Sequence, residues 1–198
     1  MTRGESRIPC FILAGGGSQR FGSDKARAEL LGRPLIQHVA EWLAPFASRV
    51  TVVADRVARY ADLGLRTLAD ETPGQGPLGG LARALRDLEG GEEWLMLAPC
   101  DLVGVRAEWL ELLLASRTPG ARAVAFRGEV WQPLPGLYHR TAGEVVGGRI
   151  AAGRRSLWRL ISLLGAEAVP LPAEWREEVG QFNTPEDLQA YEAVLGER

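Results

Sequence analysis

The sequence predicts an α/β protein in which a mostly parallel central sheet carries helices on both faces. Two observations support this fold class. Short apolar runs, typical of buried strands, alternate along the chain with segments whose apolar residues recur at helical spacing. Strands separated by helices form β–α–β units, which build parallel sheets. The first apolar run, 8–13, also ends in glycines, at the edge where a parallel sheet binds its ligands.

The first part of the chain supplies most of the predicted elements. Between 34 and 46, apolar residues fall on one face of a helix, and Pro34 suits its first turn. The predicted strands are 8–13, 50–54, 65–69, 94–98 and 121–126. The predicted helices are 34–46, 78–88 and 107–115.

The second part of the chain is less regular. The segment 132–138 contains two prolines and looks extended, 156–164 has helical spacing, and 166–171 predicts a late strand. The sequence TPED at 184–187 opens a last helix, because it combines a capping threonine, a proline and an acid in the expected order. No repeat or linker interrupts the chain, so we expect a single domain over residues 1–198.

Composition argues against several classes of protein. The 198 residues are 46% hydrophobic and 24% charged, which is ordinary for a globular protein. A net charge of −2 gives no positive field for nucleic acid. No apolar run approaches the roughly 20 residues of a membrane span, and we expect no secretory signal. The two cysteines lack metal-type spacing, which favours a reducing, cytoplasmic setting, and two histidines argue against a His-rich metal site or triad.

The first strand leads into a glycine-rich segment, LAGGGSQRFGSDKA, at 13–26. Glycines let the backbone approach a bulky anion and expose its N–H donors. Ser18, Arg20 and Lys25 add a hydroxyl and two cations. Lys25 is the chain's only lysine, and a lysine ammonium can sit among several phosphate oxygens. The segment therefore predicts a polyphosphate cradle, the alternative being a sharp turn with a solvated tail.

Two better-known phosphate-binding motifs do not fit this segment. A Walker A loop needs lysine directly after glycine, but Ser23 follows Gly22. The dinucleotide fingerprint needs a glycine at the position of Arg20. A second stretch, GQGPLGG at 74–80, does match G-x-G-x-x-G, but it follows the third strand and predicts only a tight loop near the same pocket.

Two aspartates also follow predicted strands. The run WLMLAPCDLV delivers Asp101 to the sheet edge, where a carboxylate opposite a phosphate loop would hold Mg²⁺. The alternative is a cap for the helix 107–115 or an aspartate that faces a loop. Asp70 ends the third strand, where it would either reach a base or ribose or cap a turn. Cys100 has no histidine spaced to activate it, which favours a small buried residue over a nucleophile.

Together these motifs resemble nucleotidyltransferases of the molybdenum cofactor guanylyltransferase type. The segment 13–26 resembles the family's L-A-G-G-x-S-x-R-[MF]-G-x-D-K signature. DETPGQGPLGGL, APCDLV and FNTPEDL resemble its G-P-L-x-G loop, its metal-binding C-D segment and its closing motif. The resemblance covers nearly the whole chain. It implies a Rossmann-like domain whose N-terminal part binds a nucleotide and whose C-terminal part binds the acceptor.

The resemblance also implies roles for individual residues. GTP would be contacted by Leu13, Ala14, Gly15, Gly16, Lys25, Asp70 and Asp101. Arg20 would help to neutralise the triphosphate, Asp101 would carry Mg²⁺, and Asn183 would lie on the molybdopterin side. Lys25, Arg20 and Asp101 would thus form the catalytic set. Apart from the resemblance, the sequence AAGRRSLWRL offers Arg154 and Arg155 beside a glycine, where they would either hold the pterin's phosphate or form a solvated basic helix start.

The implied reaction is in-line attack on the α-phosphate of GTP by the terminal phosphate of molybdopterin or its molybdenum-loaded form. Pyrophosphate leaves, and the anionic nucleophile needs no strong base. Val53 stands where some members have asparagine, so base selectivity is open. One alternative is therefore a cytidylyltransferase acting on the same pterin or on a sugar or polyol phosphate. Another is a non-catalytic nucleotide-binding module that senses GTP or docks on a molybdoenzyme chaperone.

Overall fold

The computed structural model describes residues 7–15, 21, 24–71 and 74–196. Its strands are β1 (Ile8–Leu13), β2 (Glu29–Leu30), β3 (Arg33–Pro34), β4 (Ala47–Ala54), β5 (Thr67–Ala69), β6 (Trp94–Pro99), β7 (Leu102–Val103), β8 (Ala123–Arg127), β9 (Trp131–His139), β10 (Glu167–Pro170) and β11 (Gly180–Gln181). Its α-helices are α1 (Leu35–Leu43), α2 (Pro77–Arg86), α3 (Ala107–Ala115), α4 (Ala142–Ala151), α5 (Leu157–Leu164), α6 (Trp175–Glu178) and α7 (Pro185–Gly196). In this described part of the chain, none of the helices has the length and apolar character that crossing a membrane would take.

Seven strands form the central sheet in the order β10-β8-β9-β6-β1-β4-β5. Every neighbouring pair is parallel except the two pairs that involve β9, which confirms the predicted α/β class. The chain moves outward from β1 to β4 and β5 and then returns to β6 on the other side of β1. This reversal creates a switch point between the carboxyl ends of β1 and β6, where open α/β sheets bind ligands.

Each face of the sheet is covered by its own helices, because successive residues of a strand point to opposite sides. Cys10 and Ile12 pack into the layer that α1 and α3 cover, together with Trp175. Phe11 packs into the opposite layer, which α2, α4 and α5 cover. Both layers consist of fully or nearly fully buried aliphatic and aromatic side chains. The sheet is thus a rigid platform for the loops at its edges.

The structure shifts several predicted boundaries and, among the described residues, adds two helices, α4 and the short α6. The predicted helix 34–46 is α-helical only to Leu43 and closes as a 3₁₀ turn, where Pro45 lacks the amide hydrogen that an α-helix needs. The sequence did not predict α4, since its three glycines have low helix propensity. Ala142 and Val146 of α4 are fully buried, so tertiary packing overrides that propensity.

The segment predicted to be extended, 132–138, forms the antiparallel strand β9. Its register against β8 shifts, so that Gly136 faces Ala125 while Gln132 faces Phe126. The intervening residues 133–135 bulge from the ladder, which is where a sheet tolerates proline. Because β9 runs against its neighbours, its first residue, Trp131, lies at the carboxyl edge of the parallel strands.

A two-stranded ribbon brings the C-terminal part of the chain to this same edge. Strand β7 follows Asp101 directly and pairs with β11 in antiparallel fashion. The residues after β11 join a small apolar cluster with the segment that follows the glycine-rich loop. The buried members of this cluster are Phe21, Leu30, Leu35, Val103, Phe182 and Leu188.

Gly104 is essential to the connection between the ribbon and α3. Its φ is +78°, and a Cβ there would collide with the carbonyl oxygen of Glu178 and approach the Tyr191 hydroxyl. We expect Gly104→Ala to lower the free energy of unfolding by at least about 3 kcal/mol, since strain and collision add. Gly120→Ala is the matched control: its φ is +86°, but a Cβ there meets open space.

The control should cost only the left-handed strain of about 1–2 kcal/mol. Urea unfolding of both variants measures the difference. Equal losses in the two variants would contradict the packing described for Gly104.

Candidate functional site

The glycine-rich segment and Asp101 meet at the switch point between β1 and β6. In the sheet register Leu13 is level with both Val53 and Pro99. The Ala14 N–H donates to the Val53 carbonyl over 2.9 Å, and the Cys100 N–H donates to the Leu13 carbonyl over 3.1 Å. The backbone is therefore held on both sides up to Ala14, and the chain leaves the sheet at the next residue.

Gly15 is exposed, and packing does not explain why it is glycine. A Cβ built there would meet only the backbone of Ala54 and Asp55, at 3.8 to 4.0 Å, which is ordinary contact. Its φ is not in the left-handed region. Glycine at this position therefore leaves space in front of the backbone, as close approach of an anion requires.

Lys25 and Asp101 form an ion pair between Nζ and Oδ2. Lys25 begins the 3₁₀ turn Lys25–Arg27, and Asp101 follows the end of β6. Asp101 is only 5% exposed, and a carboxylate that is nearly buried requires a positive partner. The structure thus brings together the only lysine and the strand-end carboxylate that the sequence singled out separately.

Asp24 anchors the turn that carries Lys25. Its carboxylate accepts hydrogen bonds from the Ala26 N–H at 3.2 Å, from Arg59 at 2.9 and 3.1 Å, and from the Tyr60 hydroxyl at 3.2 Å. Sequence analysis did not assign a function to Asp24, Arg59 or Tyr60. The one sequence signal was the Asp24–Lys25 pair in the family signature. The segment 55–63, which supplies Arg59 and Tyr60, carries no motif.

The second glycine loop also reaches this edge. Gly76, with a φ of +61°, precedes Pro77 at the start of α2. A Cβ on Gly80 would collide with the Leu13 side chain, so the first turn of α2 lies against the end of β1. A helix N-terminus presents unpaired N–H groups and a partial positive charge, both of which favour an anion.

Asp70 lies at the same edge, two strands from β1. It follows β5 and is half-buried, and its N–H donates to the Ala54 carbonyl over 2.6 Å. The outward order β1-β4-β5 therefore places Asp70 on the side of the site away from Asp101.

Asn183 is exposed and lies just after β11. The N–H groups of Asn183 and Thr184 donate to Asp187 Oδ2 over 2.8 and 2.9 Å, and the Asp187 N–H donates to the Thr184 hydroxyl over 3.2 Å. These backbone hydrogen bonds lower the pKa of Asp187, and the positive charge of Lys25 adds to the effect. The start of α7 is therefore close enough to Lys25 to interact electrostatically.

The other predicted site residues lie elsewhere or are not described. Arg155 is exposed in the connection from α4 to α5. Because α5 leads into the parallel strand β10, this connection lies at the carboxyl edge, beyond β9. Gly16 and Arg20 fall outside the described residues.

Comparison with known proteins identifies the family. The family model for the MobA-like NTP transferase domain matches residues 10–168. The chain belongs to the MobA-like NTP transferase family. This membership confirms the resemblance stated from the motifs.

Relatives support the same assignment along most of the chain. The molybdenum cofactor guanylyltransferase of Cereibacter sphaeroides is 38% identical over 193 residues, which cover 96% of this chain and 97% of that protein. The probable molybdenum cofactor guanylyltransferase of Deinococcus radiodurans is 42% identical over 151 residues, covering 74% of this chain and 75% of that protein.

A solved structure shares the fold. The molybdopterin-guanine dinucleotide biosynthesis protein A of Archaeoglobus fulgidus has a TM-score of 0.80 at 23% identity, covering 96% of this chain and 100% of that one.

Cys100 adjoins the ion pair of this MobA-like site, but its thiol is not activated. Burial, and then the negative charge of Asp101, raise the pKa of Cys100 to about 12. Burial alone raises the pKa of Cys10 to about 12 as well. Both thiols therefore stay protonated at neutral pH, which argues against covalent catalysis through cysteine.

We expect neither thiol to react appreciably with an aromatic disulfide reagent at pH 8 in the folded protein. Reaction should be at least about 100-fold slower than after unfolding in guanidinium, because only the thiolate attacks. Two thiols per chain should appear on unfolding. Rapid labelling of the folded protein would contradict the protonated state assigned to Cys100.

Proposed function

We propose that this protein transfers GMP from GTP to the terminal phosphate of molybdopterin, or of its molybdenum-loaded form, and releases pyrophosphate. The observation that carries the proposal is the Lys25–Asp101 ion pair at the carboxyl ends of β1 and β6. It places a cation and a metal-binding type of ligand at the edge of the sheet where Gly15 follows β1. The names and coverage of the relatives support the same reaction.

The binding of the triphosphate would use three parts of the edge. The Gly15 backbone can approach an anion closely, the Lys25 ammonium can follow the phosphates, and the α2 N-terminus adds a partial positive charge. We further propose that Leu13, Ala14 and Gly16 line this cradle, that Arg20 shields the triphosphate, and that Asp70 lies near the nucleoside. These groups would align two anions that repel each other, which is most of the work in phosphoryl-type transfer.

The Asp101 carboxylate suits a metal ion that binds together with the nucleotide. Among the described residues there is no cluster of three or more His, Cys, Asp or Glu side chains that could hold a metal. Mg²⁺ is often bound by one or two carboxylates with phosphates and water as its other ligands, and Asp101 fits that pattern. When bound there, Mg²⁺ would neutralise charge on the triphosphate and the leaving pyrophosphate.

The two histidines support a reaction without a histidine base. The His38 imidazole is engaged with the Leu30 carbonyl at 2.9 Å, and His139 is engaged with the Thr141 hydroxyl at 2.8 Å. His139 ends β9 at the amino edge of the sheet, away from Lys25 and Asp101. The phosphate nucleophile is anionic at neutral pH and needs no base.

The acceptor would bind on the C-terminal side of the site. The β7–β11 ribbon places Asn183 next to the segment that carries Asp101. Arg155 would meet the pterin's phosphate from the start of α5. Trp131 lies at the same edge, where the Arg127 guanidinium stacks over its ring at 5.0 Å, and would offer the acceptor a flat surface.

Selection of the nucleotide base would rest on residues other than Val53. Val53 is 2% exposed and packs in the core, so it cannot read a base as an asparagine at that position would. The melting temperature of the protein can be compared in Mg²⁺ with GTP, CTP or UTP. The nucleotide that binds most tightly raises Tm most, which distinguishes a guanylyltransferase from a cytidylyltransferase. A larger shift with CTP would favour the cytidylyltransferase alternative. GTP binding without pyrophosphate release would favour a non-catalytic module.

We further propose that the protein acts in the cytoplasm. Two unpaired cysteines suit the reducing cytoplasm. The product would pass to a molybdoenzyme or its chaperone.

Removing either member of the ion pair should abolish most transfer. We expect Lys25→Met and Asp101→Asn to lower the rate of pyrophosphate release from GTP and molybdopterin by about 100-fold or more, the scale of one preorganised charge contact. Arg33→Met is the control, because Arg33 pairs with Glu41 on the surface. Near-normal turnover in both site variants would refute the roles assigned to them.

The ion pair also predicts competition between Lys25 and a metal. Because the ammonium occupies the Asp101 carboxylate, nucleotide-free protein should bind Mn²⁺ weakly, and Lys25→Met should bind it at least about tenfold more tightly. Electron paramagnetic resonance counts free Mn²⁺ in such a titration. The gain should vanish in the Lys25→Met, Asp101→Asn double variant, and Arg33→Met should show none. An unchanged affinity in Lys25→Met would disprove the competition.

A further inference from the structure

We propose that Tyr60 is a positioning residue that ties the two ends of the glycine-rich loop together and so sets where Lys25 meets the phosphates. The assignment rests on the proposed function only in taking a triphosphate as the ligand. Tyr60 belongs to none of the motifs that the sequence analysis identified.

The hydroxyl of Tyr60 lies between the chain that enters the loop and the chain that leaves it. It is 3.2 Å from both carboxylate oxygens of Asp24 and 3.5 Å from the carbonyl oxygen of Ala14. Ala14 is the last residue held by the sheet, and Asp24 immediately precedes Lys25. One phenol therefore contacts both ends of the segment that would surround the triphosphate.

The Tyr60 hydroxyl remains a hydrogen-bond donor because the phenol keeps its proton. Tyr60 is fully buried. Burial, and then the negative charge of Asp24, raise the pKa of Tyr60 far above its usual range. The single proton is best donated to the carboxylate, which is the stronger acceptor, while the Ala14 carbonyl adds a weaker contact.

Asp24 transmits this constraint to Lys25. The same carboxylate accepts from the Ala26 N–H and so fixes the 3₁₀ turn on which Lys25 stands. Arg59 also holds Asp24, so the loss of the Tyr60 hydroxyl would loosen the turn without releasing it. The effect should therefore appear in ligand alignment more than in folding.

The aromatic ring has a separate, structural role. The guanidinium groups of Arg27 and Arg59 lie over it, 5.3 and 5.6 Å from its centre. Tyr60→Phe keeps the ring and these contacts and removes only the hydroxyl. The variant therefore tests the contacts of the hydroxyl separately from the packing of the ring.

Tyr138→Phe is the matched control. Tyr138 is also fully buried, and its hydroxyl donates to the Pro133 carbonyl over 2.8 Å, on the opposite side of the sheet from Tyr60. Each variant loses one buried hydrogen bond, so both should lower Tm by a few degrees, Tyr60→Phe somewhat more because its acceptor is a carboxylate. A purely structural role for Tyr60 predicts that the two variants also bind ligand alike.

Calorimetric titration with GTP and Mg²⁺, in the absence of any acceptor, tests the assignment. Tyr60→Phe should weaken GTP binding about three- to tenfold, as expected for misplacing one charged contact, while Tyr138→Phe should match the wild type. In a Lys25→Met background Tyr60→Phe should weaken binding no further, because it acts through Lys25.

Equal GTP affinities for Tyr60→Phe and Tyr138→Phe, or a full additional loss in the Lys25→Met background, would overturn the assignment. Because no acceptor is present, either result is distinct from a failure of the proposed transfer, which only pyrophosphate release would reveal.

Discussion

The structure depends on one electrostatic constraint: a nearly buried carboxylate, Asp101, must always have a positive partner. In the protein alone that partner is the only lysine of the chain. Under the proposed function, a bound metal would be the alternative partner and would free the ammonium for phosphate oxygens. Asp101 would therefore have a positive partner both before and after a metal–triphosphate enters, so this carboxylate would be unpaired in neither state.

The sheet topology makes this pairing possible. β1 and β6 are neighbours although the chain has passed through β4 and β5 between them, and Leu13 and Pro99 end level with each other. Parallel strands deliver whatever follows them to a common edge. The glycine loop, the carboxylate and the start of α2 meet there for that reason, and the β7–β11 ribbon adds the C-terminal segment.

The sequence predicts those parts of the site that follow from strand ends and motifs. The meeting of Lys25 with Asp101 is of this kind, since both were assigned to the same edge. Tyr60 could not be predicted, because its contact with Asp24 spans 36 residues and depends on how an unpatterned segment folds back. Helix α4 was missed because its glycines hide the helical period, and the two-residue strands β7 and β11 are too short to show a period.

The most direct test is a crystal structure with Mn²⁺ and a GTP analogue that cannot react at the α-phosphate, read by the anomalous signal of manganese. We expect manganese bound to Asp101, with the Lys25 ammonium moved from that carboxylate to the phosphates in front of Gly15. A nucleotide bound away from this edge, or Lys25 still paired with Asp101 while manganese lies elsewhere, would contradict it.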